Sequence, residues 1–288
     1  AMERILELGA QIAEGPVWDP LTSTWLFVDI TAGLVHRLSP DSGELSTFAV
    51  GQAVSAVLPT SCGRLLLVSV HGLILCQADG SGQVPFGDRL ESDPALLLND
   101  AKVDSRGRLW TGSRDRERGS RGHLFRIDAD GRATIILEGI TVSNGLGWSP
   151  DDRLFYYIDS LTYAVRVFDF DAELGTIDNE REFTSFDPDS GLPDGLSVDE
   201  HGGVWIAHFG SGKISRHEPS GRLVAEHHFP VPNVTSLAFG GPESDDVLVT
   251  TGTYKMTEAE LAHCPMAGDI FGGTWGVRGV FTHAFIVN

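Results

Sequence analysis

Six residues with oxygen-bearing side chains recur along the chain at intervals of 41 to 50 residues. Each stands beside a short apolar segment, as Glu14 does in AEGPVWDP and Asp194 does in PDGLSVDE. A carboxylate next to a buried strand is unfavourable unless it is paired or binds a cation. Carboxylate and amide oxygens, completed by water, are the ligands that hard divalent cations prefer. The six residues are Glu14, Ser55, Asn99, Asn144, Asp194 and Thr235.

The segments that carry these residues share one layout, which predicts the elements that position them. Each has a short apolar strand, a turn of the D-x-x-G kind and a second strand rich in aromatic and branched residues, and a further strand pair follows most of them. A repeat of about 40–50 residues with four strands per unit is typical of a β-propeller. We therefore predict an all-β fold, a single six-bladed β-propeller domain over residues 1–288 with four antiparallel strands per blade.

The two ends of the chain are expected to close this ring. The N-terminal strand RILELGAQ is predicted to pair beside GVFTHAFIV near the C-terminus, which would remove the open sheet edges. Only TEAELAHCP, residues 257–265, has a helical pattern, with Thr257 and Glu260 as a capping box.

The first strand of each propeller blade lines the central channel, so the six recurring residues should face one another near its mouth. Two acids that meet there without a cation would repel each other, which favours one bound divalent metal ion. The alternative is a wet channel lined by polar residues, and it explains Ser55 and Thr235 better than the other four. All-oxygen ligation suits Ca²⁺ first, with Mg²⁺, Mn²⁺ or Zn²⁺ as alternatives.

Composition argues against several classes of function. The chain has 21 basic and 40 acidic residues and a net charge of −19, which argues against nucleic acid or an anionic membrane as a partner. Apolar runs of membrane-span length and a signal-peptide pattern are missing, and the three cysteines stand far apart. These features predict a cytoplasmic protein, a monomer or weak homodimer. Motifs for a serine nucleophile elbow, a zinc protease, a dinucleotide fold or a Walker loop are also missing.

The ordered set of motifs resembles one known family. AEGPVWDP, LNDAKVDSRGRLWTGS, SNGLGWSPDDRLFYYIDS, PDGLSVDEHGGVWIAHFGSGKISR, NVTSLAFGG and GVRG are similar to the SMP-30/gluconolactonase/luciferin-regenerating-enzyme (regucalcin-like) family over nearly the whole chain. The resemblance implies a six-bladed propeller with one divalent metal in its channel, and hydrolysis of a small-molecule lactone. It implies Glu14, Asn144 and Asp194 as metal ligands, with Asn99 touching substrate or metal-bound water. Glu117, in RDRERG, matches a position that contacts substrate hydroxyls.

One departure from the family pattern concerns the substrate. Members often carry an Arg two residues before the Asn of the N-D-G-K-V-D motif, where this chain has Leu97. Losing an Arg removes a bidentate grip on oxygen atoms, so a lactone less polar than a sugar lactone becomes more plausible. Arg114 or Arg116 could replace that grip from the neighbouring loop. Alternatively, the arginines of this loop form only a solvated hairpin.

The implied chemistry is opening of a lactone ring. A divalent metal can polarise the carbonyl and activate water. We assign Asp194 as general base or water orienter as well as ligand, and Asn99 as orienter of the water or stabiliser of the oxyanion. Asp159 is a candidate to support the site from behind, whereas Asp29 is interpreted as a strand-end acid bonded to backbone. The alternatives are a phosphotriesterase-like hydrolase, a non-catalytic calcium-binding regulatory protein and a propeller that binds a partner.

Overall fold

The computed structural model describes all 288 residues, and its 24 β-strands form six antiparallel sheets of four strands each. The predicted six-bladed propeller is therefore confirmed. The chain begins with β1 (Glu3–Leu6). Blades one to three contain β2 (Ala13–Asp19), β3 (Thr24–Asp29), β4 (Leu34–Leu38), β5 (Leu45–Ala49); β6 (Ala56–Pro59), β7 (Leu65–Val68), β8 (Leu73–Cys76), β9 (Val84–Phe86); and β10 (Leu96–Val103), β11 (Leu109–Asp115), β12 (Gly122–Ile127), β13 (Ala133–Ile140).

The second half of the chain repeats this arrangement, with a helix inserted in the last blade. Blades four to six contain β14 (Ser143–Trp148), β15 (Leu154–Asp159), β16 (Ala164–Asp171), β17 (Thr176–Ser185); β18 (Leu192–Val198), β19 (Val204–Phe209), β20 (Lys213–His217), β21 (Leu223–His228); and β22 (Val234–Gly240), β23 (Asp246–Thr251), α1 (Glu258–His263), β24 (Ile270–Thr274). Short 3-10 turns cover Ser160–Thr162 and Pro188–Ser190.

Blade six is closed by both ends of the chain, but not by the C-terminal segment expected from the sequence. β1 pairs with β24, the segment IFGGT, as the outermost strand of the blade. Gly272 of β24 leaves room for Ile5 of β1, because a Cβ at Gly272 would lie 2.8 Å from the Ile5 Cδ1 atom. The pairing of RILELGAQ with GVFTHAFIV is therefore wrong. That tail instead forms an isolated bridge from Phe285 to Thr60, and Phe285 is fully buried against Phe86.

The single α-helix begins where the sequence predicts. The Thr257 side chain caps α1 by accepting a hydrogen bond from the backbone N–H of Glu260 at 3.2 Å. No helix of the structure has the length and apolar character needed to cross a membrane.

Repeated acidic residues fix the turns between the inner two strands of a blade. Asp104 accepts hydrogen bonds from the Arg106 backbone N–H at 2.9 Å and from the Trp110 indole at 2.8 Å. Asp199 accepts the corresponding bonds from His201, at 2.9 Å, and from Trp205, at 2.8 Å. These bonds explain why an acid precedes the turn glycine and a tryptophan follows it, since each carboxylate satisfies both the turn and the buried indole.

The core lies between neighbouring blades and holds the inner strands in place. Between blades three and four, Trp110 packs edge-on to Trp148 with ring centroids 6.0 Å apart, and Phe155 lies 5.1 Å from Trp110. Such aromatic pairs add to the stabilisation from burial alone. The first strands of adjacent blades are thereby held in close and fixed contact around the channel.

Candidate functional site at the mouth of the channel

Irregularities in the first strands set the direction of the recurring polar side chains. In five of the six blades the register between the first two strands shifts at or beside the recurring residue, and the exception is Ser55, which lies one residue before β6. A β-bulge bends its strand and re-aims a side chain. The inner strands also approach closely, since a Cβ at Gly145 would lie 2.6 Å from the carbonyl oxygen of Asp194. The geometry brings side chains of separate blades to one place.

Glu14 of blade one and Asp194 of blade five form a buried acid pair. Only 5% of Glu14 and 8% of Asp194 is exposed. Burial raises the pKa of Glu14, and the charge of Asp194 raises it further. Burial also raises the pKa of Asp194 to about 8. Two carboxyl groups buried this close together disfavour each other's charged form, and a bound cation would relieve that repulsion.

The acid pair has few hydrogen-bond donors around it. Glu14 Oε2 accepts one bond from the Gly15 backbone N–H at 2.7 Å. Asp194 Oδ1 is buried and accepts no hydrogen bond. Asp100 adds a third carboxyl that is 7% exposed and whose pKa is raised by burial. An unpartnered carboxylate oxygen among further acids is suited to a cation, because a hard divalent ion prefers such oxygen ligands.

Two asparagines extend the acid pair across blades three and four. Asn99 Nδ2 donates to the Ser143 carbonyl at 2.8 Å and lies 3.4 Å from Asn144 Oδ1. Asn144 Nδ2 donates to Ser160 Oγ at 2.8 Å, and Ser160 Oγ donates to the Pro193 carbonyl at 2.6 Å. Ser160 therefore orients the Asn144 amide. Sequence reasoning missed Ser160, and only its place directly after a strand end in the repeat could have drawn attention to it.

Ser55 and Thr235 have a structural role. Ser55 Oγ donates to the Asn99 carbonyl at 2.8 Å. Thr235 Oγ1 donates to the Ala13 carbonyl at 2.5 Å and lies 2.7 Å from Thr250 Oγ1. Both hydroxyls link neighbouring inner strands through bonds to protein groups.

A half-buried lysine lies near the acids and was not singled out from the sequence. Lys102 Nζ donates to the Leu196 carbonyl at 2.8 Å. Burial lowers the pKa of Lys102, while the charges of Asp100 and Glu14 raise it. Lys102 is the K of NDAKVD, so the motif held the signal. Lys102 therefore places a positive charge close to Asp100 and Glu14.

The acids that follow the second strands serve the backbone. Asp29 accepts hydrogen bonds from Gln11 and Ile12 N–H groups, both at 3.0 Å. Asp159 accepts from Thr141 N–H at 3.0 Å and Val142 N–H at 2.8 Å. The interpretation of Asp29 agrees with these bonds, whereas support for Asn144 comes from Ser160 and not from Asp159.

Around the mouth, the segment that runs from the end of β11 into the loop before β12 divides into two parts. Arg121 is bound by Asp115 at 2.9 Å, by Asp93 at 2.7 Å and by the exposed Glu117 at 3.1 Å. Arg118 is exposed to solvent. The solvated-hairpin interpretation therefore fits this part of the loop.

Arg114 belongs to the other part. It is half-buried on β11, directly opposite Leu97 on β10, and Leu97 is half-buried as well. Leu97 and Asn99 are two residues apart, so they point to the same side of the strand up to the bulge. Leu97 and Arg114 thus form the wall of the mouth beside Asn99.

Clusters of three or more His, Cys, Asp and Glu side chains arranged for a metal ion are absent from the structure. A cation at the mouth would therefore need amide oxygen as well as carboxylate. Glu14 and Asp194 supply the carboxylates, and Asn144 supplies an amide whose orientation is fixed by Ser160. The donor set fits a hard divalent ion.

The fold and the site together define a class of protein, the six-bladed propellers whose channel mouth is lined by acids and amides from different blades. The chain belongs to the SMP-30/Gluconolactonase/LRE-like family, whose model matches residues 12–253. Regucalcin of Danio rerio is 30% identical over 99% of this chain and 98% of its own length. Pentonolactonase of Haloferax volcanii is 31% identical over 93% and 92%. The crystal structure of a calcium-binding protein, regucalcin, from Agrobacterium tumefaciens has a TM-score of 0.93 at 26% identity over 99% and 97%.

Proposed function

We propose that this protein is a metal-dependent lactonase that opens a lactone ring at the channel mouth. The observation that carries this proposal is the buried pair Glu14 and Asp194, with an unpartnered oxygen on Asp194 and the oriented amide of Asn144 beside it. The relative from Haloferax volcanii is a pentonolactonase, which supports the choice of substrate class.

Glu14, Asn144 and Asp194 would hold one divalent ion, with calcium as the first candidate. The related Agrobacterium tumefaciens protein is described as calcium-binding, and an all-oxygen donor set agrees with calcium. Bound there, the ion would polarise the lactone carbonyl and lower the pKa of water. Zn²⁺, Mg²⁺ and Mn²⁺ are the other ions to test.

The protein side chains supply the remaining steps. Asp194 accepts the proton of the attacking water, since a carboxylate at that position can bind a cation and take up a proton. It returns that proton to the ring oxygen, which leaves as an alcohol when the acyl C–O bond breaks. Asn99 orients the water or donates to the developing oxyanion. Lys102 takes no part in the reaction. Its positive charge offsets part of the negative charge of Asp100 and Glu14.

Substrate choice follows from the wall of the mouth. Leu97 offers an apolar surface where the family often has an arginine, and an apolar wall cannot donate a hydrogen bond to a ring hydroxyl. Highly hydroxylated sugar lactones should therefore be weak substrates, and lactones with fewer hydroxyls should compete well. Glu117, exposed at the rim, remains a proposed contact for substrate hydroxyls.

A hydrolysis screen tests the proposal. Metal-depleted protein is refilled with Ca²⁺, Mg²⁺, Mn²⁺ or Zn²⁺ and assayed on sugar lactones, alkyl lactones and a fluorophosphate. Lactone turnover that needs an added ion, and is lost in Asp194→Ala but kept in the exposed control Glu44→Ala, supports the proposal.

The other outcomes of this screen favour other functions. Turnover of the fluorophosphate alone would favour a phosphotriesterase-like hydrolase. Tight ion binding without turnover of any substrate would favour a calcium-binding regulatory protein. Cytoplasmic location and a monomer or weak homodimer complete the proposal, and light scattering tests the oligomeric state.

A further inference from the structure

Arg114 is a cation without an anionic partner in a strongly acidic protein. It is half-buried, and neither an ion pair nor a side-chain hydrogen bond joins it to another residue, although the chain has 40 acidic residues. A half-buried guanidinium without an acceptor is unfavourable. Burial accordingly lowers the pKa of Arg114; Tyr254 offsets part of this change, and the nearby charge of Arg116 lowers the pKa further.

The acids nearest in the sequence are all bound to a different arginine. Asp115, Asp93 and Glu117 each pair with Arg121, at 2.9, 2.7 and 3.1 Å. Strand alternation explains the division, since Asp115 points to the opposite face of β11 from Arg114. The three acids therefore neutralise Arg121 and leave Arg114 without an anionic partner.

The neighbours of Arg114 on β11 show which side of blade three it occupies. A Cβ at Gly112, two residues earlier on the same face of β11, would lie 2.1 Å from Ser143 Oγ of blade four. The Arg114 backbone forms a bridge to Val142. Arg114 thus lies on the face of blade three that meets blade four, next to the strand that carries Asn144.

Other cations share the rim with Arg114, and Tyr254 faces them. Arg116 is exposed and forms no ion pair. Tyr254, in the segment between β23 and β24, is tied down through its backbone to Gln11 at 3.0 Å and to Asn233 at 3.2 Å. Lys255 Nζ lies 5.2 Å from the centre of its ring. Arg114, Arg116 and Lys255 therefore place positive charge on this side of the mouth, whereas Glu14 and Asp194 form an acidic floor.

We propose that Arg114, assisted by Arg116, binds an anionic carboxylate or phosphate group on the lactone substrate. This rests on the proposed lactonase function. Leu97 lies two residues along β10 from Asn99, which is about 7 Å, and Arg114 is opposite Leu97. A lactone whose carbonyl is at the acidic floor can extend an acidic substituent to this height. The guanidinium then replaces, from the adjacent strand, the cation that Leu97 lacks, with bidentate geometry for a carboxylate or phosphate.

Matched substrate pairs test the proposal. The first is 5-oxotetrahydrofuran-2-carboxylate against its neutral hydroxymethyl counterpart, and the second is 6-phosphoglucono-δ-lactone against glucono-δ-lactone. The parent should favour the anionic member of at least one pair by about tenfold or more in kcat/KM, and the pair that responds distinguishes carboxylate from phosphate. Arg114→Gln should lose this preference, with a much larger fall in kcat/KM on the anionic member than on the neutral one, while Arg114→Lys should keep part of it. Arg118→Gln, an exposed arginine of the same loop, should behave as the parent.

A binding measurement keeps this inference separate from the lactonase proposal. Calorimetry compares 2-hydroxyglutarate, the ring-opened carboxylated probe, with the neutral-substituent acid 4,5-dihydroxypentanoate, and 6-phosphogluconate with gluconate. Tighter binding of an anionic probe to the parent but not to Arg114→Gln supports the anion site even if no lactone is hydrolysed. Neutral lactones hydrolysed with no preference in any pair, or an anion preference that persists in Arg114→Gln, would overturn the role of Arg114 and leave the lactonase proposal standing.

Discussion

At the scale of single residues, we expect substrate choice to depend most on Leu97 and Arg114. Exchanging them, in the double variant Leu97→Arg with Arg114→Leu, moves the cation to the strand where the family often has it. The exchange should shift kcat/KM toward glucono-δ-lactone over a plain δ-lactone by about 1.5–3 kcal/mol, because new charge-assisted bonds to ring hydroxyls form. The single variant Leu97→Arg is the control. It adds the same cation but keeps Arg114 directly opposite, and the two like charges destabilise each other. A parent that already strongly prefers gluconolactone would contradict this account of Leu97.

Ser160 is a second residue whose effect should be specific. Its hydroxyl holds the Asn144 amide at 2.8 Å, and partners that orient a metal ligand commonly change affinity by about 10–100-fold. Ser160→Ala should therefore weaken calcium binding by about tenfold, as measured by calorimetry. Ser215→Ala, which removes an equally buried hydroxyl in blade five, should leave the affinity unchanged. Equal affinity in parent and Ser160→Ala would remove the assigned role of Ser160.

At the scale of elements, close contact between first strands is part of the site. Gly145→Ala should destabilise the protein by about 1–3 kcal/mol, because the new methyl group has no room between β14 and β18. Gly72→Ala is a matched control, since the nearest atom to its Cβ is 4.0 Å away and its φ is not positive. Denaturant unfolding measures both. Similar midpoints for the two variants would show that the inner strands can separate without cost.

Blade five contains a buried histidine pair that should make stability depend on pH. Burial, followed by the charge of Lys213, lowers the pKa of His208 from 6.5 to about 4. Between these values the unfolded chain binds more protons than the folded protein, so stability falls as pH decreases from 6.5 to 4. The loss from His208 should reach up to about 3 kcal/mol.

Variants of this histidine test the assignment. His208→Gln should flatten the slope of unfolding free energy against pH in that window. His201→Gln, at an exposed position, should not change it. A slope that is the same in His208→Gln and the parent would show that other groups cause the acid sensitivity.

At the scale of the whole molecule, the repeat of the sequence predicted more of the fold than of the site. Six units with a recurring turn between two apolar strands predict six blades, and in blades three and five the acid of a D-x-x-G sequence satisfies the turn, as Asp104 and Asp199 do. The partner of β1 could not be read in this way. IFGGT and GVFTHAFIV are both β-formers, and the choice between them depends on tertiary packing: Gly272 of β24 leaves room for Ile5, whereas Phe285 packs against Phe86.

The site was predictable where the repeat marked it and hidden where it did not. Glu14 and Asp194 are recognisable in the sequence because a carboxylate beside a buried strand is unfavourable unless it is paired or binds a cation. The motif NDAKVD includes Lys102, but the contacts through which Ser160 and Lys102 act, with Pro193 and Leu196 of another blade, cannot be read from the sequence. The lack of a partner for Arg114 likewise becomes visible only when the carboxylates around Arg121 are located.

A cation at the mouth would join blades that are far apart in the chain. Glu14 belongs to blade one, Asn144 to blade four and Asp194 to blade five. A ligand that binds only the folded state stabilises it by about 2.7 kcal/mol at a hundredfold excess over its Kd. The site is therefore expected to couple closure of the ring to ion binding.

Calorimetric titration of metal-depleted protein with calcium tests the central claim most directly. The account predicts that about one ion binds per chain, that Asp194→Ala binds it much more weakly, and that Glu44→Ala, at an exposed position, binds it as the parent does. Calcium binding to Asp194→Ala with the parent's affinity and stoichiometry would contradict the account.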